Sequence, residues 1–441
     1  MGLTVAIIGS GPGGFYSAAA LIKDIPDCRV DVIDRLPTPF GLIRAGVAPD
    51  HQSSKKIAKT FERTAQSPQV RFLGNVDVPR DVSIAELRGL YDAVVLATGA
   101  PRDRRMGIPG EDLAGVYGSS EFVGWYNAHP DFRELSPDLG TGTAVVIGAG
   151  NVALDVARLL AKTGEEVRAT DMAHYAADAI DVSPVKDIYV FARRGPLQAA
   201  FTHKEVKEFG ELENAVTLVD PAVLPGEDVS LEDKGRGSQE KNIGYLRQYA
   251  HHKGDEKPVR IHLQFYAMPV EVLGEGGEVS AIRMERTRLD DGGRVVPTGE
   301  TFEVPCNIVV ACIGTQSTPL DNVAYDERNQ RFQNQDGKIE DGLYVAGWAK
   351  RGPSGTIATN FPDGSQVAEY ARALTPDAFK QGPAGLDQLL ADRKVRVVTF
   401  EDWKRIEAAE EAGASHGAPR RKFTTIPEMI GALGWREDGR F

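Results

Sequence analysis

The chain has 441 residues, of which 41% are hydrophobic and 26% charged, and its formal net charge at pH 7 is −12. That length predicts two or three domains, and the composition is typical of a soluble globular protein. The acidic balance argues against nucleic acid as a partner, because phosphate binding needs a basic surface. No apolar run approaches the roughly 20 residues that span a bilayer, so no membrane span is expected.

The N-terminus and the cysteines exclude further classes. The chain opens on a strand-like run rather than on the basic and apolar regions of a signal peptide, so we expect a cytoplasmic protein. Its three cysteines, Cys28, Cys306 and Cys312, are too few for a disulfide framework, and none forms a C-x-x-C pair. We therefore expect no dithiol redox site, no iron–sulfur cluster and no bound metal.

The first predicted element is an apolar strand that runs into a glycine motif, VAIIGSGPGGFYSAAALI, residues 5–22. Gly9 permits a tight turn, Gly11 lets the backbone approach a pyrophosphate, and Gly14 lets the next helix pack on the strand. The helix start offers free N–H groups to phosphates. A second strand ends at Asp34, twenty residues after Gly14, where an acid suits ribose hydroxyls. This order predicts a dinucleotide site rather than a structural glycine turn.

A second motif of the same kind is AVVIGAGNVALDVARLL, residues 144–160. It places Gly148, Gly150 and Ala153 at the three fingerprint positions, again between a strand and a helix. Alanine is tolerated at the third position. The chain therefore has two predicted dinucleotide sites.

The strand after the second motif ends at two adjacent arginines, Arg193 and Arg194. Two guanidinium groups can hold a 2′-phosphate with forked, charge-assisted hydrogen bonds, whereas an acid there would repel it. We predict NADP(H) at this site; the alternative is a solvated pair of surface cations. About 40 residues separate Gly150 from Arg193, against the usual ~20, and residues 164–187 are a predicted helical insertion of unassigned role.

Two further strands suggest how the domains are arranged. The stretches YDAVVLATGA, residues 91–100, and NIVVACIGTQ, residues 307–316, have the same shape, and each could close one nucleotide-binding half. The predicted fold is α/β with two Rossmann-like dinucleotide-binding domains, the NADP domain inserted into the other. The expected boundaries are 1–101, 102–305 for the NADP domain, and 306–441 for the second part of the first domain with a C-terminal extension.

Five stretches in order resemble adrenodoxin reductase and its bacterial ferredoxin–NADP reductase relatives: VAIIGSGPGGFYSAAAL, PTPFGLIRAGVAPDH, GAGNVALDVARLL, ARRGPLQAAFTHKE and GWAKRGPSGTIATN. The resemblance runs from about residue 4 to the C-terminus. It implies an FAD enzyme that takes hydride from NADPH and passes electrons to a ferredoxin in two single-electron steps. With neither a ferredoxin-like extension nor a mitochondrial presequence at the N-terminus, a bacterial form is expected.

The resemblance also implies cofactor contacts, position by position. For FAD, beside the glycines at 9, 11 and 14, the implied contacts are Gly13, Asp34, Leu42, Val76, Trp348, Gly355, Thr356 and Ile357. For NADP they are Ala149, Gly150, Asn151, Val152, Arg193, Arg194, Glu205 and Gly355. Ala149 replaces the glutamine of some relatives, so the side-chain contact of those relatives is not expected here.

The stretch after Trp348 supports the flavin reading on physical grounds. The run Gly355, Thr356, Ile357 could open a helix capped by Ser354 or Thr356, and its N–H groups could stabilise negative charge on a reduced flavin. Trp348 could shield the ring by stacking. The alternative is a Gly/Pro-rich loop with a core tryptophan.

The resemblance further places His51 and Glu208 near the flavin as candidate catalytic residues. A histidine there could relay a proton, since its pKa lies near neutrality; by itself, His51 is a loop histidine. Ferredoxins are typically acidic, so a local basic face should dock the partner. The candidates are Lys204 and Lys207, with Arg236, Lys241 and Arg247 nearby, although each could equally be a solvated charge.

Other functions stay open at this stage. One is a flavin-dependent NADPH oxidoreductase that reduces a small molecule; its disulfide version is disfavoured by the missing C-x-x-C pair. An electron-input subunit of an amidotransferase-type complex is disfavoured because such subunits usually carry cysteine-ligated clusters. A third is a non-catalytic NADPH-binding flavoprotein sensor.

Overall fold

Short apolar strands alternate with helices from the start of the chain and build a first parallel sheet. The structure, a computed structural model, describes residues 2–226 and 236–435. The first strands are β1 (Thr4–Ile8), β2 (Arg29–Ile33), β3 (Val70–Leu73) and β4 (Ala93–Leu96). The helices among them are α1 (Pro12–Asp24), α2 (Leu42–Ala45), α3 (Gln52–Lys55), α4 (Ala58–Ala65) and α5 (Ile84–Leu90).

A second parallel sheet follows a short linker strand, β5 (Arg102–Asp103). Its first five strands in chain order are β6 (Val116–Gly118), β7 (Thr143–Ile147), β8 (Asp187–Ala192), β9 (Ala215–Val219) and β10 (Val259–Phe265). The accompanying helices are α6 (Ser119–Tyr126), α7 (Asn151–Ala161), α8 (Gly164–Arg168), α9 (His174–Asp181), α10 (His203–Glu208) and α11 (Arg236–Tyr249). Short 3-10 turns lie at Pro130–Phe132, Pro196–Gln198 and Pro221–Val223.

An antiparallel three-stranded sheet connects β10 to the last strand of the second parallel sheet. It comprises β11 (Ala267–Glu275), β12 (Glu278–Leu289) and β13 (Val295–Pro305), and it leads into β14 (Ile308–Ala311). The strand order of the parallel sheet is β6-β14-β7-β8-β10-β9.

The chain then returns to the first sheet. Linker strand β15 (Thr315–Gln316) pairs antiparallel with β5, and the hairpin β16 (Tyr325–Asp326) and β17 (Arg331–Phe332) follows. Strands β18 (Lys338–Glu340) and β19 (Leu343–Val345) complete the first sheet in the order β18-β19-β4-β1-β2-β3. The second unit is thus inserted into the first, which confirms the predicted fold class.

The expected boundary after residue 305 needs a correction. Strand β14 pairs in parallel with β7 and β6, so it belongs to the second unit. The crossing between the units is marked instead by the β5–β15 pair, where Thr315 lies opposite Asp103. The sequence could not show this, because a short buried strand fits either parallel sheet equally well.

The remaining helices follow β19. They are α12 (Trp348–Arg351), α13 (Phe361–Arg372), α14 (Gly382–Asp392), α15 (Phe400–Ala412) and α16 (Ile426–Gly431), with a 3-10 turn at Ile357–Asn360. The C-terminal segment packs back on the first unit: Val398 bridges Gly74 beyond β3, and the buried Trp403 joins Phe15, Phe40 and Phe61 in one aromatic cluster. None of the helices in these described ranges has the length and apolarity that crossing a membrane requires.

Burial on both faces explains the continuous apolar strands. Successive strand residues point to opposite sides of a sheet. In β1, Val5 and Ile7 belong to the core that α1 and α13 cover, whereas Ala6 and Ile8 belong to the core that α5 and α14 cover. The second sheet is covered by helices on one face and by β11–β13 on the other. Ligands of such sheets bind at the carboxyl ends of the strands, so the turns after β1 and β7 are the candidate binding sites.

Candidate functional site

The turn after β1 has the geometry of a pyrophosphate cradle. Gly9 has φ +106°, and a Cβ on it would lie 2.3 Å from the carbonyl oxygen of Ala97 just beyond β4. A Cβ on Gly14 would lie 2.0 Å from the carbonyl oxygen of Gly9. Helix α1 begins after Gly11 without a side-chain cap, and a Cβ on Gly11 would meet nothing within 4 Å. The first N–H groups of α1 therefore border open space, as a bound phosphate requires.

The turn after β7 repeats this construction. Gly148 has φ +142°, and a Cβ on it would lie 2.3 Å from the carbonyl oxygen of Cys312 just beyond β14. Helix α7 begins after Gly150, again without a side-chain cap and with open space at the Cβ position. Ala153 at the third position is fully buried. Both turns thus fit a dinucleotide.

Asp34 lies at the end of β2 and is held by the first glycine turn. Its Oδ2 accepts hydrogen bonds from the N–H of Ser10 at 2.9 Å and from the hydroxyl of Ser10 at 2.5 Å, and its Oδ1 accepts one from the N–H of Leu36 at 3.0 Å. A cleft beside it is lined by both units, with Gly41 from the first and His129 from the second. A carboxylate has further acceptor capacity, so Asp34 can still bind a ribose hydroxyl.

The other two implied FAD positions of the first unit differ in exposure. Leu42 begins α2 with 45% of its surface exposed, so its side chain is available to a ligand. Val76 is 1% exposed, and its N–H donates to the carbonyl of Asp34 at 3.0 Å. Any contact from Val76 would therefore use its carbonyl oxygen, not its side chain.

The expected flavin-ring segment is braced by a buried carboxylate that the sequence reading overlooked. Asp363 of α13 accepts a hydrogen bond from the N–H of Gly347 at 3.0 Å, pairs with Arg351, and lies 3.1 Å from Nζ of Lys350. Trp348 begins α12 directly after this fixed turn.

The downstream run of the same segment stays accessible. Gly355 and Thr356 are exposed, and Ile357 is half-buried. Thr356 occupies the N-cap position of the 3-10 turn that leads into α13, but its N–H donates to the hydroxyl of Thr359 at 2.9 Å and its side chain makes no capping hydrogen bond. Thr356 is one of the two residues that the sequence proposed as a cap.

A loop after β8 closes against the second glycine turn. The carbonyl of Ala149 accepts hydrogen bonds from the N–H groups of Ala200 at 2.8 Å and Phe201 at 3.0 Å. Oδ1 of Asn151 accepts from the N–H of Thr202 at 2.8 Å, and the hydroxyl of Thr202 donates to Glu205. The predicted contacts Ala149, Asn151 and Glu205 are thus brought together. Val152, the second residue of α7 and the fourth predicted NADP contact of this turn, has 42% of its surface exposed.

Arg193 and Arg194 are both exposed at the end of β8. Their backbones are fixed: the carbonyl of Arg193 accepts from the hydroxyl of Thr287 at 2.8 Å, and that of Arg194 accepts from the N–H of Tyr266 at 3.3 Å. Within the described residues, neither guanidinium is paired with a carboxylate. Two fixed, uncompensated cations are well suited to an incoming phosphate.

His51 and Glu208 meet, although 157 positions separate them. Nε2 of His51 and Oε2 of Glu208 are 2.9 Å apart. They belong to a histidine cluster that joins the two units and also contains Asp50, Asp155 and Arg158. Arg158, with 2% of its side chain exposed, donates twice to Asp50 at 2.9 Å and lies 2.7 Å from Asp155 and 3.0 Å from Glu208.

The charges in the histidine cluster shift the pKa values of its members. Burial, the largest single effect, opposes protonation of His51, but the hydrogen bond to Glu208 and the charges of Asp155 and Asp50 together raise the pKa of the imidazole. Burial would raise the pKa of Glu208, yet the bond from His51 lowers it. Burial raises the pKa of Asp155 to about 6 despite Arg158. For Asp50, burial is overcome by the hydrogen bonds from Arg158, which lower its pKa to about 2. The cluster therefore contains a carboxyl, Asp155, whose pKa of about 6 lies close to neutral pH, beside an imidazole whose pKa is raised.

Three members of the histidine cluster were not identified from the sequence. Asp50 directly precedes His51, and Asp155 and Arg158 are spaced i, i+3 on the helix that follows Gly150. These positions, next to His51 and just after the second glycine turn, were the features of the sequence from which the three residues could have been identified. Helix periodicity alone places Arg158 on a mostly apolar helix and does not show the carboxylates that neutralise it.

The candidate docking lysines lie on neighbouring helices α10 and α11. Lys204 and Lys241 are exposed; Lys207 pairs with Glu211 at 2.6 Å, which reduces its contribution to a basic face. Arg247 donates to the carbonyl of Pro225 at 3.0 Å. The side chain of Arg236, the fifth candidate, lies outside the described part of the chain.

Two Rossmann-type units with glycine turns at the carboxyl ends of their sheets define a two-dinucleotide oxidoreductase. A family model described as pyridine nucleotide-disulphide oxidoreductase matches residues 3–184, which include both glycine turns. The NADPH:adrenodoxin oxidoreductase of Homo sapiens is 40% identical over 451 residues, covering 98% of this chain and 92% of the relative. The NADPH-ferredoxin reductase FprA of Mycobacterium leprae is 40% identical over 445 residues, covering 97% of each.

Solved structures agree with the sequence relatives. Mycobacterium tuberculosis FprA in complex with NADPH superimposes with a TM-score of 0.91 at 38% identity, covering 98% of this chain and 100% of that one. The chain belongs to the adrenodoxin reductase family, which includes the bacterial NADPH-ferredoxin reductases. The resemblance seen in the five sequence stretches is thereby confirmed.

Proposed function

We propose that the protein is an NADPH–ferredoxin reductase that binds FAD in the first unit and NADPH in the second, and delivers electrons to a ferredoxin-type iron–sulfur protein. The observation that carries this proposal is the pair of uncapped glycine turns, with an unpaired arginine pair beside the second. Relatives of matching length named as NADPH-dependent reductases of adrenodoxin and ferredoxin support it. When bound, FAD supplies the exchange between a two-electron donor and a one-electron acceptor.

The first unit holds FAD in this proposal. The N–H groups at the start of α1, around Gly11 and Gly13, bind the pyrophosphate, and Asp34 binds the ribose. Further contacts come from the exposed side chain of Leu42 and the carbonyl of Val76. The ring end is contacted by Trp348, which follows the turn that the buried Asp363 holds at Gly347, and by the backbone from Gly355 to Ile357.

The second unit holds NADPH. The backbone of Ala149 and Gly150, with Asn151 and Val152 at the start of α7, binds the pyrophosphate. The arginine pair binds the 2′-phosphate, because both guanidinium groups are exposed and lack a carboxylate partner among the described residues. Glu205 on α10 and Gly355 at the ring-side turn complete the contacts.

The histidine cluster handles protons in this scheme. The hydrogen bond to Glu208 favours a protonated His51, so the pair holds a proton between Nε2 and Oε2. Asp155, with a pKa of about 6, lies 3.9 Å from the other ring nitrogen of His51, and its negative charge favours the protonated imidazole. Because the pair spans both units, its protonation acts on a contact between them.

The partner docks on the basic residues of α10 and α11. Lys204 and Lys207 are the proposed contacts, and an acidic iron–sulfur protein is the matching partner. A cytoplasmic location stays a prediction from the sequence.

The decisive experiment compares two acceptors. The purified protein should be yellow, should reduce ferricyanide with NADPH, and should reduce cytochrome c much faster when a [2Fe–2S] ferredoxin is added. A cytochrome c rate that is independent of ferredoxin would favour a small-molecule oxidoreductase. A flavin that NADPH does not reduce would favour a sensor, and a colourless protein that cannot be reconstituted with FAD would refute the proposal.

A further inference from the structure

A second buried charge cluster, separate from the histidine cluster, lies where three distant parts of the chain meet. Its centre is Lys422, whose side chain is 1% exposed. The ammonium donates to the carbonyl of Arg44 in the first unit at 3.0 Å and to Oδ1 of Asn127 in the second unit at 3.2 Å. It also lies 3.4 Å from Oδ2 of Asp171. One side chain of the C-terminal segment thus contacts both nucleotide-binding units.

Asp171 also forms an ion pair with a second lysine, which belongs to the first unit. Nζ of Lys55 on α3 lies 2.6 Å from Oδ1 of Asp171, and the two side chains are 11% and 5% exposed. Burial would raise the pKa of this carboxyl, but Lys422 and Lys55 together lower it. Burial in turn lowers the pKa of Lys55 and lowers that of Lys422 well below its usual range, although Asp171 opposes both shifts. Asp171 lies between α8 and α9, inside the 164–187 insertion whose role the sequence leaves unassigned.

A bidentate ion pair fixes the C-terminal side of this cluster. Arg44 donates to Glu410 at 2.8 and 2.5 Å, and Glu410 is fully buried. Glu410 also accepts the N–H of Phe423 at 2.8 Å, the residue after Lys422. The strand-like segment that carries Lys422 is therefore tied to the same arginine whose carbonyl Lys422 contacts.

The position of these contacts gives them a consequence for the reaction. Arg44 lies two residues after Leu42, and Lys55 four residues after His51. Segment 42–55 of the first unit is thus held by the histidine cluster on α7 and α10 and by the Lys422 cluster around the insertion. Unpaired buried charges are strongly disfavoured, so these contacts require one particular placement of the second unit against the first.

We propose that Lys422 and Asp171 are positioning residues for electron transfer: together they set the alignment of the NADPH unit on the FAD unit. This inference rests on the proposed function. It assigns a role to the insertion, which supplies the carboxylate, and to the C-terminal segment, which supplies the lysine. Transfer between two bound nucleotides depends steeply on alignment, whereas most of the proposed contacts of each nucleotide come from its own unit, with Gly355 the NADPH contact proposed from the first unit.

The test uses the FAD-loaded protein with Lys422→Met, which keeps the stem and removes the amino group with its hydrogen bonds to Arg44 and Asn127. We expect the FAD content and the Kd for NADPH to stay within about twofold. The single-turnover rate of flavin reduction by NADPH should fall at least tenfold, and Lys422→Arg should restore part of it. Light-driven flavin reduction, which needs no nucleotide, should be unchanged. Lys338→Met is the matched control, because Lys338 forms an exposed pair with Asp341 within the first unit.

A second measurement does not depend on turnover. Hydrogen–deuterium exchange should increase in segment 42–55 and around residue 171 in Lys422→Met, with the strands of both sheets unchanged. Should Lys422→Met fail to fold, Asp171→Asn, nearly isosteric, takes its place. A normal NADPH-driven rate in the variant, or parallel losses of FAD, NADPH affinity and rate, would overturn the inference. A wild-type flavin that NADPH does not reduce would instead overturn the proposed function.

Discussion

Replacing Arg194 by alanine tests the nucleotide assignment with little risk to the fold. The side chain is exposed, and none of the described carboxylates pairs with it. The contact that the backbone makes, the N–H of Tyr266 to the carbonyl of Arg194, is kept by alanine. Surface substitutions of this kind change the free energy of unfolding by at most about 0.5 kcal/mol. Any large effect on NADPH therefore reports binding.

The expected size follows from the chemistry of the pair. A charge-assisted hydrogen bond contributes roughly 1.5–3 kcal/mol, and loss of one arm of a phosphate clamp should cost about 2–3 kcal/mol. That corresponds to a roughly 30- to 150-fold rise in the KM for NADPH, since about 1.4 kcal/mol is tenfold. NADH lacks the 2′-phosphate, so its KM should change less than about threefold. Arg193→Ala should behave in the same way.

The assay is steady-state ferricyanide reduction with each nucleotide, from which the ratio of kcat/KM for NADPH over NADH is taken. Arg168→Ala serves as the control, because Arg168 is a partly exposed arginine of the same unit that pairs with Asp178 and Asp181. Its ratio should equal that of the wild type. An equal loss for both nucleotides in Arg194→Ala would refute the 2′-phosphate assignment.

Three more predictions concern the site. Arg158→Met removes the buried cation that Asp50, Asp155 and Glu208 share, so the free energy of unfolding should drop by about 3–5 kcal/mol in urea titrations; no change would contradict the cluster. The lowered pKa of Asp50 contributes stability that is present above its unfolded pKa near 3.8 and lost as pH falls towards about 2; acid unfolding of Asp50→Asn should lack this component. Gly148→Ala places a Cβ 2.3 Å from the Cys312 carbonyl and should lower the melting temperature, whereas Gly150→Ala has open space and should keep stability but weaken NADPH binding, seen by titration.

Local sequence patterns were sufficient for the nucleotide turns. Gly9 and Gly148 each need a positive φ, and this constraint acts within one strand–turn–helix unit, although the backbones that they approach, at Ala97 and Cys312, come from distant strands. The position of Arg193 and Arg194 at the end of β8 follows from the same local order. Chemistry that depends on a few consecutive residues can be read directly, and here it predicted the fold class and the nucleotide order.

Only the tertiary structure decided which sheet received β14 and which charges meet. Arg158 and Asp50 are 108 positions apart, and Lys422 and Asn127 are 295 apart. Ionic contacts over such separations leave no periodic signal, because a partner can come from any segment that folding brings within a few ångströms. An uncompensated charge is costly once it is buried, so each buried charge in these contacts requires its partner, whereas a surface charge does not. The sequence by itself therefore determined the two glycine turns and the arginine pair beside the second, and the three-dimensional packing determined how the two units are held together.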